Sequence, residues 1–397
     1  MYINRLQKAL RVTLLPLAFA CVGIMRLLAH FGVLVRIGML YPRLGHAVMN
    51  TEVYLCERRA GLHPKRSFDV WTFKGDPASA THARLLRRCL LIDRTCFTRL
   101  VALVNSLFIG WERFIAQPEQ LDRDIHNLLE RHPPHLRLTE REVRRGYQQL
   151  AEWGLPPGAR IVCLMVRDAA YLPQLAYHSY RDADVDTYEA ATRALAARGY
   201  YIFRMGSKVA KRFQVNHPRV IDFAGDGKYS DFMSVWLAAH CSFVISTSTG
   251  WDALALAFRK PILYTNFVPF EYLSTFWPRS LAIWKHHYKD GRRLSPAEIL
   301  ASGVSQAMTA QEFTDAGIEL HDNTPAELRD AALEMADYVE GRFRPEEQQA
   351  FWDAFPRAMS PYNNRPLHGE IRLRVGSRFL DDYRKEEQCS KAKASSA

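Results

Sequence analysis

"SFVISTSTGWDALALAFRKPILYTN", Ser242 to Asn266, decides the fold. Its opening "SFVIS" is a short, continuous apolar run, the mark of a strand buried on both faces. Ser246-Thr247-Ser248-Thr249-Gly250 breaks that run. Trp251 to Phe258 follows with the look of a helix, and "PILYTN" is a second short strand. Strand, turn, helix and strand at this spacing make one βαβ unit of a parallel sheet.

The same alternation extends outward. "RIVCLMVRD" predicts a strand, Asp186 to Arg198 a helix ended by Gly199, and "YYIFRMG" and "RVIDFA" two more strands. Ser230 to Ala239 predicts a helix with Ser230 at its N-cap. "LHDNTPAELRDAALEMADYV" predicts a late helix, capped by Asn323 or Thr324, with Pro325 at its first position. Toward the N-terminus, "VLVRIGML" and "FDVWTF" read as strands. "YPRLGH" reads as a turn and "AVMNTEVYLCERRAG" as a helix stopped by Gly61. Thr81 to Arg94 reads as a basic helix, and 122–152 as charged and helical in period, broken at Pro133-Pro134. "WGLPPGAR" (Trp153 to Arg160) has the composition of a linker. The expected fold is α/β, two facing Rossmann-like domains with a C-terminal helix and a polar tail. The expected parts are an N-terminal helix at 1–32, a first domain at 33–152 and a second at 158–320, then C-terminal helices at 321–360 and a basic tail at 361–397.

The chain has 397 residues, 48% of them apolar and 24% charged, which indicates packed globular structure. A net charge of +11 favours anionic partners such as phosphates, nucleotides or an acidic membrane surface. The arginines are dispersed and accompany no nucleic-acid-binding signature, so nucleic acid is not an expected partner. Seven cysteines without a C-x-x-C argue for a reducing compartment and against structural zinc. "VTLLPLAFACVGIM", Val12 to Met25, falls short of the roughly 20 apolar residues of a spanning helix and runs into Arg26-Leu27-Leu28, a poor signal-peptide cleavage site. Lys8, Arg11, Arg26 and Arg36 bracket it. Two readings stay open: a helix lying peripherally on the cytoplasmic face of the inner membrane, or a packed first helix of the fold.

In doubly wound sheets, ligands bind outside the carboxyl ends of the strands. Five consecutive strands of the second half end in polar groups: Arg167 and Asp168; Arg204, Gly206 and Ser207; Asp222; Ser246, Thr247, Ser248, Thr249 and Gly250; and Asn266. Ser230 and Asp231 open the helix between the third and fourth. Hydroxyls and helix amides suit a pyrophosphate, arginine forks suit its oxygens, and Asp222 suits a ribose hydroxyl or a base edge. For the turn alone, a plain helix cap is the preferred reading, and only its company at the neighbouring strand ends favours a ligand. The turn is not G-x-S-x-G, and neither a P-loop nor G-x-G-x-x-G occurs. Adjacent His286 and His287 face different ways on most backbones, so they make a poor metal pair. In the first half, Arg43, Gly45 and His46 stand at the first strand-to-helix turn, with Glu52 two helical turns on. Arg43 and Gly45 are candidates for acceptor contact and Glu52 for catalysis. His46 is a candidate general base, a ligand of the transferred group, or a packed histidine.

With "RLGHAVMNTEVYL", "CLMVRDAAYL", "YYIFRMGS", "VIDFAGDGKYSDFMSVWLAAHCSFVISTSTG" and "IELHDNTPAEL" in order along nearly the whole chain, the sequence resembles a family of bacterial surface-polysaccharide glycosyltransferases. The Ser/Thr turn and arginine strand ends also look like the donor half of GT-B enzymes such as heptosyl- and fucosyltransferases. The resemblance implies a GT-B-like, metal-independent transferase moving a sugar from a nucleotide-diphosphate sugar to a glycan or lipid-linked acceptor. Arg167, Arg204 and Ser246 to Gly250 would hold the diphosphate, and no cofactor is implied. No D-x-D motif stands in a suitable context, so arginine and helix amides would neutralise the leaving group. A nucleotide-sugar epimerase and a non-catalytic glycan-assembly partner are the alternatives.

Overall fold

The computed structural model describes residues 2–95, 97–170, 173–342, 348, 351–352, 358–360 and 363–385, with side chains from 13 onward except 173–176. Two compact units emerge: Met1–Asp122 with Pro134–Arg137, and Arg123–Pro133 with Leu138–Ala397. The division therefore falls ahead of the Pro/Gly stretch at 153–160, where the sequence reading puts it.

The first unit opens with helix α1 (Tyr2–His30). Strand β1 (Leu34–Leu40) runs into α2 (Leu44–Ala60), which ends at Gly61 in the left-handed region (φ 81°), and β2 (Ser67–Phe73) follows. Next come α3 (Ala80–Cys89), α4 (Phe97–Asn105) and the short β3 (Ile115–Ala116). The three strands are parallel in the order β2-β1-β3. A Cβ at Gly38 would lie 2.2 Å from the Trp71 ring, so only glycine lets β2's tryptophan cover β1. The basic helix expected to reach Arg94 stops at Cys89, since Ile92 bridges back to Trp71.

One stripe of α1 (Ala18, Val22, Met25 and Ala29) packs with Leu34, Ile37, Val101, Val104 and Phe114. The packed-helix reading thus holds for one face. Arg36 does not flank the apolar segment as a surface cation. It is 4% exposed and grips the Asp69 carboxylate at 2.8 and 3.1 Å and the Tyr54 hydroxyl at 2.8 Å. A buried arginine needs such a partner, because desolvation would otherwise dominate.

The second unit begins with α5 (Leu128–Arg131) and α6 (Glu140–Glu152). The sheet strands are β4 (Arg160–Met165), β5 (Tyr200–Arg204), β6 (Val220–Ile221), β7 (Phe243–Ser246), β8 (Ile262–Phe267) and β9 (Ser280–Trp284). Between them lie α7 (Glu189–Ala197), α8 (Asp231–His240) and α9 (Asp252–Ala257). A small antiparallel sheet uses β10 (His286–Lys289), β11 (Arg292–Arg293) and β12 (Glu319–His321), with α10 (Pro296–Ala301) and α11 (Ala310–Asp315) intervening. α12 (Pro325–Val339) and β13 (Arg374–Val375) complete it.

The large sheet is parallel throughout in the order β13-β9-β8-β7-β4-β5-β6. From β4 the chain runs outward through β5 and β6, then returns to lay β7 on the other side of β4 and runs outward again. The direction of winding reverses between β4 and β7. α7 and α12 pack on each other, while α6, α8 and α9 form a separate group, as in a doubly wound sheet.

Two packing details explain the unit boundary. Arg123 donates to the carbonyls of Tyr272, Leu273 and Leu367 at 2.7–3.1 Å, tying 123–133 to the second unit. Gly146 of α6 lies where a Cβ would sit 2.0 Å from Trp236 Nε1, and that indole donates to the Val143 carbonyl at 3.2 Å. The polar tail expected from 361 also starts too early. β13 adds an edge to the sheet, and the helix at 377–385 buries Phe379, Leu380 and Tyr383. Of that tail, 361–362 and 386–397 lie outside the described residues.

Candidate functional site

Nucleotide-binding sheets place ligands where the winding reverses, at the carboxyl edge. Here that point is the loop after β4 facing the turn after β7. The Arg167 amide donates to Thr247 Oγ1 at 2.9 Å, so the two meet directly. Arg167 Nε donates to Asp182 Oδ1 at 3.0 Å, and the guanidinium stays partly exposed.

Ser246 to Gly250 is a highly organised turn. Ser246 Oγ donates to Asp252 Oδ2 at 2.8 Å, and the Thr249 amide donates to the same oxygen at 2.9 Å. Thr249 Oγ1 accepts from the Trp251 amide at 3.3 Å, and Ser248 takes a left-handed conformation (φ 59°). Asp252 is buried, and burial pushes its carboxyl up to about 6 against the pull of these hydrogen bonds and Arg181. The turn's inner groups are thus spent on an internal acid, and α9 is only six residues long. What remains toward solvent is the partly exposed Ser248 and Thr249 and the exposed Gly250.

Arg181, which sequence reading missed, donates to the Ser248 carbonyl and leaves its buried Nε without a hydrogen-bond partner. Burial holds its guanidinium below the ordinary arginine value, and the nearby Arg167 charge adds to this. Lys285, one residue beyond β9, is also new. Its Nζ reaches the Asp182 carbonyl at 2.7 Å and the Asp322 carboxylate at 2.8 Å. Neither residue sits in a recognisable motif; only the register of the surrounding sheet brings them to this edge.

The other strand-end residues divide into two kinds. Arg204 is 1% exposed and acts inward: Nη2 donates to Asp168 Oδ2 at 3.3 Å, and Nη1 lies 3.7 Å from Asp222 Oδ1. Asp168 also accepts the Ala170 and Ala210 amides, and Asp222 the Phe213 and Gly225 amides. These three residues brace the loops after β4, β5 and β6 rather than standing open to a ligand. Gly206 (φ 144°) allows the β5 turn, because a Cβ there would come within 2.8 Å of Val209. Ser207 is exposed.

Ser230 caps α8 through the Met233 amide at 3.1 Å, and Asp231 opens its first turn. Asn266 is the clearest departure from the expected role. It is 1% exposed, exchanges hydrogen bonds with the Asn323 backbone and side chain, and donates to Tyr188 at 3.2 Å. A side chain so fully used locks β8 to the start of α12. Asn323 therefore leaves the capping of α12 to Thr324, which forms a capping box with Glu327. The acidic run at 182–186 is likewise engaged, Asp182 with Arg167 and Asp184 and Asp186 with Lys211. His286 meets Glu327 at 3.0 Å and His287 Nδ1 meets the Lys285 carbonyl at 2.9 Å, so the pair shares no ligand.

In the first unit, α2 begins at Leu44, which puts Gly45 and His46 in its first helical turn and Arg43 at the N-cap. His46 is half-exposed, with Nδ1 3.7 Å from Asp122 Oδ2. It lines a cavity of about 440 Å³ together with Tyr41, Asn50, Lys74 and Arg99. Glu52, expected to act in catalysis, is instead buried. Its Oε1 accepts from the His135 amide at 3.2 Å and contacts His135 Nδ1 at 3.1 Å. Glu52, Cys56 and His135 bring their ligand-type atoms within 4.8 Å of one another.

No family model and no curated protein matches the chain. Among solved structures it is similar to a glycosyl transferase family 9 protein from Veillonella parvula, at 11% identity and TM-score 0.45 over 77% of this chain and 96% of that one. It is also similar to the E. coli ADP-heptose lps heptosyltransferase II, at 15% identity and TM-score 0.42 over 76% and 99%. A third is the dodecameric iron-containing heptosyltransferase TibC in complex with ADP-D-beta-D-heptose, at 16% identity and TM-score 0.38 over 77% and 76%. Likeness at this level carries no functional weight beside the chain's own residues.

Proposed function

We propose that the chain is a GT-B-like glycosyltransferase, acting at the cytoplasmic face of a membrane. It takes a sugar from a nucleotide-diphosphate donor and passes it to a surface-polysaccharide or lipid-linked acceptor. The observation that carries the reading is the winding reversal between β4 and β7. There Arg167, Arg181 and the Ser248–Gly250 edge of the turn meet at the carboxyl ends of a parallel sheet. Arg181, buried and with a second arginine beside it, sits best next to an anion. A diphosphate leaving group gains negative charge in the transition state, where fixed cations stabilise it most. Arg204, Asp168 and Asp222 hold the surrounding loops in place and do not touch the donor in this reading. The turn binds and performs no chemistry. His46, with Asp122 beside it, is proposed as the base that takes the acceptor hydroxyl's proton, and Arg43 and Gly45 as acceptor contacts.

A thermal-shift series with UDP-, GDP- and ADP-sugars tests the donor half. A bound donor at a hundred times its dissociation constant adds about 2.7 kcal/mol of stability. If none of them shifts the transition, and Arg167→Ala leaves the cell's glycans unchanged, the reading is lost. His46→Gln should retain donor binding and lose transfer. Turnover of a free nucleotide sugar without acceptor would identify an epimerase instead.

A further inference from the structure

In the first unit, α1 is buried on one side only. Ala18, Val22, Met25 and Ala29 face the unit's core, whereas Leu17, Ile24 and Leu27 are 53–57% exposed. At about 100° per residue the two sets fall on opposite sides of the helix. A second element borders the exposed half of α1 on the side of Phe19, itself 46% exposed. After α4, Leu107 is 70% and Ile109 98% exposed, and Phe108 packs edge-on to Phe19 of α1. Arg26 fastens the two together. It donates to the Ile109 carbonyl at 3.1 Å and to Asn105 Oδ1 at 3.2 Å, with its guanidinium 4.9 Å from the Phe108 ring centre. An almost fully exposed isoleucine held at the tip of a fixed loop has no role in the unit's own packing. Exposed apolar side chains on two elements fastened to each other mark an interaction site.

Charge identifies the occupant. Residues 1–51 contain six Lys/Arg and no Asp/Glu, and 94–118 contain three arginines against the single Glu112. Arg36 is spent internally on Asp69, but Arg94 and Arg113 are exposed at the two ends of the α4 segment. Apolar side chains fringed by cations complement a bilayer with anionic headgroups, where the apolar part enters the acyl boundary and the cations meet phosphate. We propose that α1 and the 106–111 loop form one monotopic surface that lies in the interface of an anionic bilayer. The Thr13–His30 window has a mean hydropathy of 1.7 and the length to cross a membrane, yet its inner stripe is core to the unit. Crossing would strip that core, so the helix lies along the surface. The inference deepens the membrane-side function proposed above and rests on that reading together with the charge.

Vesicle co-sedimentation of the full chain provides the test, with phosphatidylcholine alone and with an equimolar phosphatidylcholine–phosphatidylglycerol mixture. Binding should appear on the anionic vesicles and fall steeply with salt. Leu107→Asp and Ile109→Asp, both at exposed side chains, should each weaken partitioning about tenfold. Ile24→Asp on the other element should do the same, with circular dichroism and Tm unchanged in all three. Failure of the wild type to bind anionic vesicles overturns the proposal. So does insensitivity to the two loop variants, resistance to high-salt extraction such that detergent is needed, or loss of a dimer rather than of vesicle binding. Donor binding, measured without vesicles on the same proteins, fails or succeeds independently and so separates this proposal from the transferase reading.

Discussion

Arg167 and Thr247 are joined by a 2.9 Å hydrogen bond from a backbone amide to a side-chain hydroxyl, which makes the loop after β4 and the turn after β7 one structural piece. Because the arginine enters this bond through its main chain, its side chain can be removed without separating the two. Arg167→Ala should therefore stay folded, losing only a partly exposed ion pair with Asp182 worth at most about 1 kcal/mol. Charge-assisted hydrogen bonds contribute about 1.5–3 kcal/mol, so donor affinity should fall roughly tenfold to a hundredfold. Titration calorimetry with the best donor of the thermal-shift series measures this. Unchanged affinity would remove Arg167 from the site.

Asp252 gives a pH signature. Its carboxyl stands at about 6 in the folded chain, because it is buried, against an ordinary 3.8. The folded state thus holds the proton more tightly, and the group's contribution to stability falls as pH rises from about 4 to about 6, then levels off. A shift of this size corresponds to about 3 kcal/mol at most. Asp252→Asn cannot ionise and still offers an oxygen to the Thr249 amide. The difference between wild-type and Asn-variant unfolding free energies, from urea melts across that range, should show this slope. A flat difference would mean that burial does not raise the Asp252 carboxyl.

Much of the second unit was legible in the sequence, since each strand is a continuous apolar run stopped by polar residues, and caps such as Ser230 and Thr324 are local signals. The functions of those polar ends were not legible. Arg167 and Arg204 look alike at strand ends, yet one is partly open and the other is closed between Asp168 and Asp222. That difference depends on loops far away in sequence. Arg181 and Lys285 carry no motif, and Asp252 stands out only once its partners Ser246 and Thr249 are placed. The Pro/Gly stretch at 153–160 gave a good turn but a false boundary, because the residues that hold α6 to the second unit, Gly146 and Trp236, lie 90 positions apart.

Asn266 distinguishes bracing from binding. Its side chain accepts the Asn323 amide and donates to Tyr188, and its φ of 49° suits asparagine better than a residue with only a Cβ. Asn266→Ala should cost about 2–4 kcal/mol, from a buried amide left unsatisfied and from the left-handed backbone. Donor affinity of the folded fraction should not change. Weaker donor binding at full stability would return Asn266 to the site.

Gly146 tests where the second unit begins. A methyl group there would lie 2.0 Å from Trp236 Nε1, inside a fully buried indole that also anchors α6 through Val143. The ring cannot move aside without leaving the core next to β4, so Gly146→Ala should destabilise by about 3 kcal/mol or more, beyond the usual range for an added methylene. Gly23→Ala, in α1 with open space around its Cβ, is the matched control. It should be neutral or stabilising by up to about 1 kcal/mol, as for alanine replacing a mid-helix glycine. Urea denaturation followed by tryptophan fluorescence compares them. If α6 did not pack on α8, Gly146→Ala would leave the donor-dependent stabilisation of the second unit intact. Loss of that stabilisation together with the fold places α6 in the donor unit.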